Sequence, residues 1–287
     1  MGCELCPRRC GTDRAARAGF CRASEKPVVA KTMVHRWEEP PISGTKGSGA
    51  VFFAGCNLRC VFCQNHAISR DAAGEGLDPP QLAERFWALA EAGVHNINLV
   101  TPAHVLPGVA AAVAHAKRGG FPLPFVYNTN GYESVSALRR LEGLIDVYLP
   151  DFKYSDEAAA VRYANAPGYP ALAAAAVLEM ARQVGVGRVD DDGLMRRGLV
   201  IRHLVLPGRR RDAMRVLDWV AAHLPDAHVS LMAQYFPTHR AGEYPELNRR
   251  VTTFEYESVT QYFQKLGLKH GFFQHRAAAT PDCVPAF

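Results

Sequence analysis

Apolar and polar positions along this 287-residue chain follow two alternating periods. Short apolar runs at 50–55, 96–101, 125–129, 147–151, 199–206 and 228–234 have the length and the β-branched and aromatic content of buried strands. Between and after them the pattern turns helical. Residues 79–92 set Leu82, Phe86, Leu89 and Ala90 at helical spacing, and 105–118 is rich in Ala and Val and stops before Gly119-Gly120. Segments 134–142, 169–184, 212–223 and 253–266 complete the predicted helices, the last with a glycine stop at Gly267. Strand alternating with helix predicts parallel strands joined by right-handed crossovers, an α/β fold. Six such units fall short of the closed eight-fold barrel and predict an incomplete one, whose open side leaves room for a large substrate such as a polypeptide. The long insertion before the fifth strand holds Asp190-Asp191-Asp192-Gly193. It reads as the turn of a hairpin joining 188–189 to 194–195, with nothing nearby to complete a metal site.

The first thirty residues do not share this pattern. Cys3, Cys6, Cys10 and Cys21 fall within nineteen residues, with Pro7, Gly11 and Gly19 among them and few apolar side chains. A metal would do there the folding that a core cannot. Zinc and a second [4Fe–4S] cluster both suit four thiolates, and the absence of paired C-x2-C knuckles tilts the reading toward a cluster. The chain thus divides into a short N-terminal cysteine-rich metal-binding segment (1–30), a barrel (31–270) and a C-terminal tail (271–287) that carries Cys283, read as a free thiol or a redox relay.

A second cysteine group follows the first predicted strand. Cys56-Asn57-Leu58-Arg59-Cys60-Val61-Phe62-Cys63 has the spacing C-x3-C-x2-C. Three thiolates at that spacing can hold three corners of a [4Fe–4S] cubane, which leaves the fourth iron open to a substrate or cofactor. Zinc would need a fourth ligand, and three cysteines pair badly as disulfides. The loop leaves the C-terminal end of a strand, where α/β folds bind their ligands.

This cysteine signature, with an aromatic before the last Cys, resembles that of the radical S-adenosylmethionine (SAM) superfamily. The wider run Glu38-Glu39-Pro40-Pro41-Ile42-Ser43-Gly44, Gly47-Ser48-Gly49 and Gly55-Cys56 through Cys63-Gln64-Asn65 is similar to the pyruvate formate-lyase activating enzyme-like subfamily. The likeness extends from about Cys3 to the last helix. It implies a partial (β/α)6 barrel in which Cys56, Cys60 and Cys63 bind the cluster and carry catalysis, with the SAM amino and carboxylate groups on the open iron. Phe62 would lie near the adenine, or serve as core.

The other predicted strand ends supply further candidates. Val100-Thr101-Pro102-Ala103-His104 stands where many relatives carry a Gly-Gly-Glu-Pro-like run that meets the SAM amino group. Only the proline is kept here, so Thr101 and Pro102 would act through backbone carbonyls, and His104 is either functional or a helix cap. Asn130, in Asn128-Thr129-Asn130-Gly131, resembles the family turn that faces the nucleoside, and also suits a plain turn. Asp151 and Lys153, two apart, point the same way and resemble an Asp-x-Lys pair for the ribose and the SAM carboxylate; a simple ion pair is the alternative. Arg202, inside an apolar strand, needs an acidic partner, which a SAM carboxylate or Asp151 would provide. Tyr235 falls where related enzymes place a ring against the adenine.

The resemblance implies an enzyme, an activating-enzyme-like oxidoreductase. A reduced cluster cleaves SAM to methionine and a 5′-deoxyadenosyl radical, which takes hydrogen from a protein, peptide or small-molecule substrate. Reducing a sulfonium needs the low end of the iron–sulfur range, so a flavodoxin- or ferredoxin-like electron donor is expected. The rival readings are a metal- or redox-sensing iron–sulfur or zinc protein without SAM turnover, and a scaffold built on a decayed barrel. Composition narrows the setting. With 48% hydrophobic residues, no apolar run long enough for a membrane span and no signal-peptide core, the chain reads as a cytoplasmic globular protein, in which eight cysteines suit metals better than disulfides. The net charge of +5 is mild, and Arg196-Arg197 and Arg209-Arg210-Arg211 lack interleaved aromatics, which makes nucleic acid an unfavoured partner.

Overall fold

The computed structural model describes residues 2–71, 73–280, 285 and 287; Cys283 lies outside the described residues. A cysteine-bearing loop region leads into β1 (Val28–His35), α1 (Pro40–Ser43), β2 (Ser48–Phe53), α2 (His66–Asp71), β3 (Glu75–Gly76) and α3 (Pro79–Glu91). Next come β4 (Ile97–Val100), α4 (Leu106–Arg118), β5 (Phe125–Thr129), α5 (Val135–Leu138), β6 (Val147–Pro150), α6 (Glu157–Ala164) and α7 (Tyr169–Val184). The chain closes through β7 (Gly187–Val189), β8 (Met195–Leu204), α8 (Arg210–His223), β9 (His228–Met232), α9 (Thr253–Lys265) and β10 (Gly271–Phe273).

One sheet runs β10-β9-β8-β6-β5-β4-β2-β1-β3, with β7 paired to β8. From β2 to β10 every neighbouring pair along that path is parallel, while β1 closes the β2 edge antiparallel. The sheet does not close on itself, as a partial barrel requires. All six predicted strands are present. The alternation of the pleat divides their side chains. Val51, Phe53, Leu99, Tyr127, Tyr148, Ile201 and Leu231 belong to the large core under the helices. Val126, Val147, Leu149 and Val200 form a separate cluster inside the barrel with Ile42 and Met195.

Ile42 belongs to a plug. The Asn96 amide, just before β4, donates to the Ile42 carbonyl at 2.7 Å, and the Ser43 hydroxyl accepts from the Glu38 amide at 3.0 Å. The segment from 36 to 47 therefore crosses the N-terminal mouth of the barrel and closes it with apolar side chains. The Asp190 turn is a hairpin as expected. Asp190 Oδ1 accepts from the amides of Asp192 and Leu194 at 3.0 and 2.8 Å, and Oδ2 from Arg196 at 2.9 Å.

Several elements differ from the sequence reading, among them β1, α6 and β10. β1 falls in what looks like a connector, because Lys31 and Thr32 break its apolar pattern. α6 is short, and is marked by its Asp156 cap and by Asn165 in the left-handed region at φ 48°. β10 makes the start of the 271–287 segment part of the sheet, through parallel pairing with β9.

α9 begins with a capping box in which Thr252 and Glu255 bond each other's backbone amides. Glu255 also accepts from Arg249 at 2.7 and 2.8 Å and from the Gly208 amide at 2.6 Å, and the Arg249 bonds hold it down to about 2. A depressed acid stabilises above its unfolded pKa, and that contribution is lost as pH falls toward the folded value. Glu255→Ala should therefore cost about 2 kcal/mol at neutral pH, and less below pH about 4, in urea titrations at both pH values.

Candidate functional site

Inside the barrel, above the apolar plug, lies a polar layer. Arg202 on β8 points inward, in phase with Val200, and its guanidinium donates to Glu38 Oε2 at 3.2 Å and Asn128 Oδ1 at 2.5 Å. Its Nε stands 3.0 Å from Asp151 Oδ1, off the hydrogen-bonding direction, so both atoms keep an unused bonding capacity. Glu38 Oε1 accepts from Asn98 and Asn128 at 3.0 and 3.3 Å. Glu39 Oε2 is 4.0 Å from Arg202 Nη1. Asp151 Oδ2 accepts from Lys153 Nζ at 2.5 Å. Burial opposes the charge on Arg202, but Asp151, Glu39 and Glu38 outweigh it and hold the guanidinium firmly cationic. Burial likewise opposes ionisation of Asp151, and Arg202 and Lys153 pull its pKa below the usual value.

This layer is the floor of a cavity of about 240 Å3. Cys56, Cys60 and Cys63 line its upper wall, with Phe62, Thr101 and Asn130 around them. The cysteine loop is fixed from behind. Gly55 holds φ +85°, a conformation that favours glycine, and a Cβ there would strike the Cys21 carbonyl. That same carbonyl accepts from the Cys56 amide at 3.1 Å. His104 is buried, and its Nε2 bonds the Ala54 carbonyl at 2.7 Å; burial lowers its pKa to about 4, so the ring is a neutral donor bracing the loop.

The N-terminal segment packs on the other side of the loop. The Phe20 ring lies under both Arg8 and Arg59, with guanidinium carbons 4.2 and 3.9 Å from its centroid. Arg8 donates to the Asn57 carbonyl at 2.9 Å, and Ser134 to the Leu5 carbonyl at 2.8 Å. Cys3, Cys6, Cys10 and Cys21 are all free thiols. The sulfurs of Cys10 and Cys21 both lie where a Cβ on Gly19 would touch them.

The donor set fits an iron–sulfur cluster at Cys56, Cys60 and Cys63. The Leu58 amide and Asn130 Nδ2 point at the Cys56 sulfur from 3.3 and 3.4 Å, as outer donors to a ligating thiolate do. Burial raises the Cys56 pKa and pushes Cys60 up to about 12, so a metal must supply the positive charge that lets three thiolates coexist. Among the described residues, no three Cys, His, Asp or Glu side chains converge on one ion point.

The remaining candidates separate. Thr101 borders the cavity with φ +59°, rare for a β-branched residue, and its amide donates to the Asn128 carbonyl at 2.8 Å. Pro102 turns instead into the short 3-10 turn Ala103–Val105. Asn130 lines the cavity, but its amide is engaged by Asn57, by the Tyr132 amide and by Cys56. Tyr235 stands behind Phe62, ring centroids 5.6 Å apart, with its hydroxyl donating to the Leu247 carbonyl at 2.7 Å. It supports Phe62 rather than facing the cavity. Glu38 and Glu39 were legible only as part of a motif; the Arg202 charge inside an apolar strand was the signal that such acids must exist.

The chain is similar to several known proteins. An uncharacterized protein of Methanocaldococcus jannaschii is 28% identical over 275 residues, 93% of this chain and 75% of that protein. The solved structure of Streptococcus suis SuiB bound to S-adenosylmethionine is similar with a TM-score of 0.53 at 12% identity, over 79% of this chain and 50% of SuiB, so this chain spans half of that protein's length. A domain of pyruvate-formate lyase-activating enzyme from Bacteroides vulgatus is similar with a TM-score of 0.42 at 12% identity, over 61% of this chain and 91% of that domain. The family model for the radical SAM superfamily matches residues 50–220, which run from the strand before the three cysteines through the Asp151, Lys153 and Arg202 layer. This chain belongs to the radical SAM superfamily.

Proposed function

We propose that this protein is a radical SAM enzyme that holds a [4Fe–4S] cluster on Cys56, Cys60 and Cys63 and binds SAM between the cysteine loop and the polar floor. The single observation that carries the reading is that one cavity joins three cysteines, with two donors aimed at the Cys56 sulfur, to a buried Asp151–Lys153–Arg202 layer with unused bonding capacity. When bound, cluster and SAM supply one-electron reductive cleavage of a carbon–sulfur bond and a carbon radical able to take hydrogen from a substrate. The chain's own residues position and shield. Asn130 and the Leu58 amide steady the Cys56 thiolate. Lys153 and Arg202 offer cations to a carboxylate, and Asp151 offers an acceptor to hydroxyl groups. Phe62, backed by Tyr235, gives an apolar wall against a base and excludes water.

An electron donor of low potential, flavodoxin- or ferredoxin-like, and an oxidoreductase acting on a protein, peptide or small-molecule substrate complete the reading. Among the described residues no helix is long and apolar enough to cross a membrane. The test is anaerobic. The reconstituted protein is given SAM and dithionite, and 5′-deoxyadenosine is quantified beside SAM binding. Product is the expected result. A protein that holds its cluster but binds no SAM would return the metal-sensor reading.

Cys3, Cys6, Cys10 and Cys21 belong to the proposal as a second metal-binding set, iron–sulfur or zinc. Cys10→Ser/Cys21→Ser should lower the bound metal by roughly four irons or roughly one zinc per chain by elemental analysis. Unchanged metal content would remove this second site.

A further inference from the structure

The cavity floor holds one carboxylate that the chain satisfies only in part. Glu39 is 7% exposed and borders the cavity, and its Oε2 has no hydrogen-bond partner. The nearest cation, Arg202, stands 4.0 Å away and is turned to Glu38 and Asn128. Three carboxylates, Glu38, Glu39 and Asp151, face two cations, Arg202 and Lys153. A buried carboxylate without a full partner is costly, and a cation arriving through the cavity would remove that cost. The same cavity carries aromatic residues. Phe52 lines the cavity, and Trp37, two residues before Glu39, stands at its rim with 67% of its surface exposed. An aliphatic stem with a charged head suits such a wall, and an indole face attracts the head.

We propose that Glu39 is a substrate-binding residue that receives an alkylammonium or alkylguanidinium group, so that the substrate is a cationic molecule or side chain. This rests on the radical SAM reading above, in which Asp151, Lys153 and Arg202 serve SAM and Glu39 is left to the other reactant. Burial raises Glu39 to about 7, which Arg202 opposes and Glu38 reinforces; an incoming cation would complete its ionisation.

The experiment uses the reconstituted full-length protein in phosphate buffer, with and without SAM. The probes are n-butylammonium and n-butylguanidinium, with n-butanol as the uncharged control, titrated by ligand-observed NMR. Wild type should bind at least one of the cations about tenfold or more tighter than n-butanol, the effect of one charge-assisted hydrogen bond. Glu39→Gln should abolish that preference and Glu39→Asp should keep part of it. SAM affinity should stay within about twofold in both variants, which also shows that the pocket is folded. Cations that bind no better than n-butanol, or equally well in Glu39→Gln, overturn the assignment. A tenfold loss of SAM affinity in Glu39→Gln overturns it in favour of a cofactor contact. Failure of the radical SAM reading shows separately, as wild type that binds no SAM, and the cation titrations without SAM still decide the role of Glu39.

Discussion

Cys60→Ala should yield no 5′-deoxyadenosine above background, a loss of more than about a hundredfold, with cluster iron falling alongside. The lower bound follows from the outer shell: losing a group that only supports a metal ligand costs ten- to a hundredfold, and losing the ligand itself must cost more. Cys60 is a sharp test because burial pushes its thiol far from ionisation. Burial takes it to about 12, with Lys153 the first charge acting against the rise. Only a bound metal makes this sulfur a thiolate. Cys60→Ser separates ligation from packing, since the hydroxyl occupies nearly the same space but is a poor ligand for iron–sulfur chemistry. It should fold as wild type by circular dichroism and fail like the alanine variant. Retention of both iron and product in either variant would remove Cys60 from the site. Asn130→Leu should lie between, at a ten- to hundredfold loss, because it deletes a donor to the Cys56 sulfur and leaves all three ligands.

The barrel was legible in the sequence because parallel strands buried on both faces write themselves as near-continuous apolar runs, as in Val147–Pro150. Strand ends then located the cavity wall, so that Cys56, Thr101, Asn130, Asp151 and Arg202 gather around one space. Legibility failed where a residue's meaning depends on a distant partner. Tyr235 sits at the expected strand end, yet Leu247, twelve residues on, takes its hydroxyl and turns the ring behind Phe62. His104 beside Pro102 could have been a site group, and the Ala54 carbonyl makes it a brace. Glu38 and Glu39 precede a Pro-Pro pair in a segment with no period of its own. Only the fold reveals that this segment plugs the barrel and lifts both acids to Arg202, 164 residues away in the case of Glu38.

Arg202→Met should be the most destabilising single change in the barrel interior, at about 3–5 kcal/mol, or roughly 10 °C in melting temperature. Methionine fills similar space, so packing is nearly kept and the loss is electrostatic. Glu38, Glu39 and Asp151 would remain buried with Lys153 as their remaining cation, and that cation is already held by Asp151. The pH dependence separates this cause from a cavity. In wild type Asp151 is depressed, so its contribution is present above its unfolded pKa and lost as pH falls. Without Arg202 Asp151 shifts upward instead, and Glu38 and Glu39, already raised by burial, shift further. The stability of the variant is then greatest where they are protonated and falls as pH rises through their folded pKa values. The gap between wild type and variant should therefore widen from pH 5 to pH 8 in denaturant titrations; a gap independent of pH would mean that packing, not charge, was lost. Glu38→Gln should recover part of the loss when combined with Arg202→Met, because it neutralises one stranded carboxylate while keeping an oxygen for Asn98 and Asn128. The same logic explains why a lone arginine is tolerated in an apolar strand here: it is the cation on which three acids from two elements depend, and the cavity above it inherits their unspent charge.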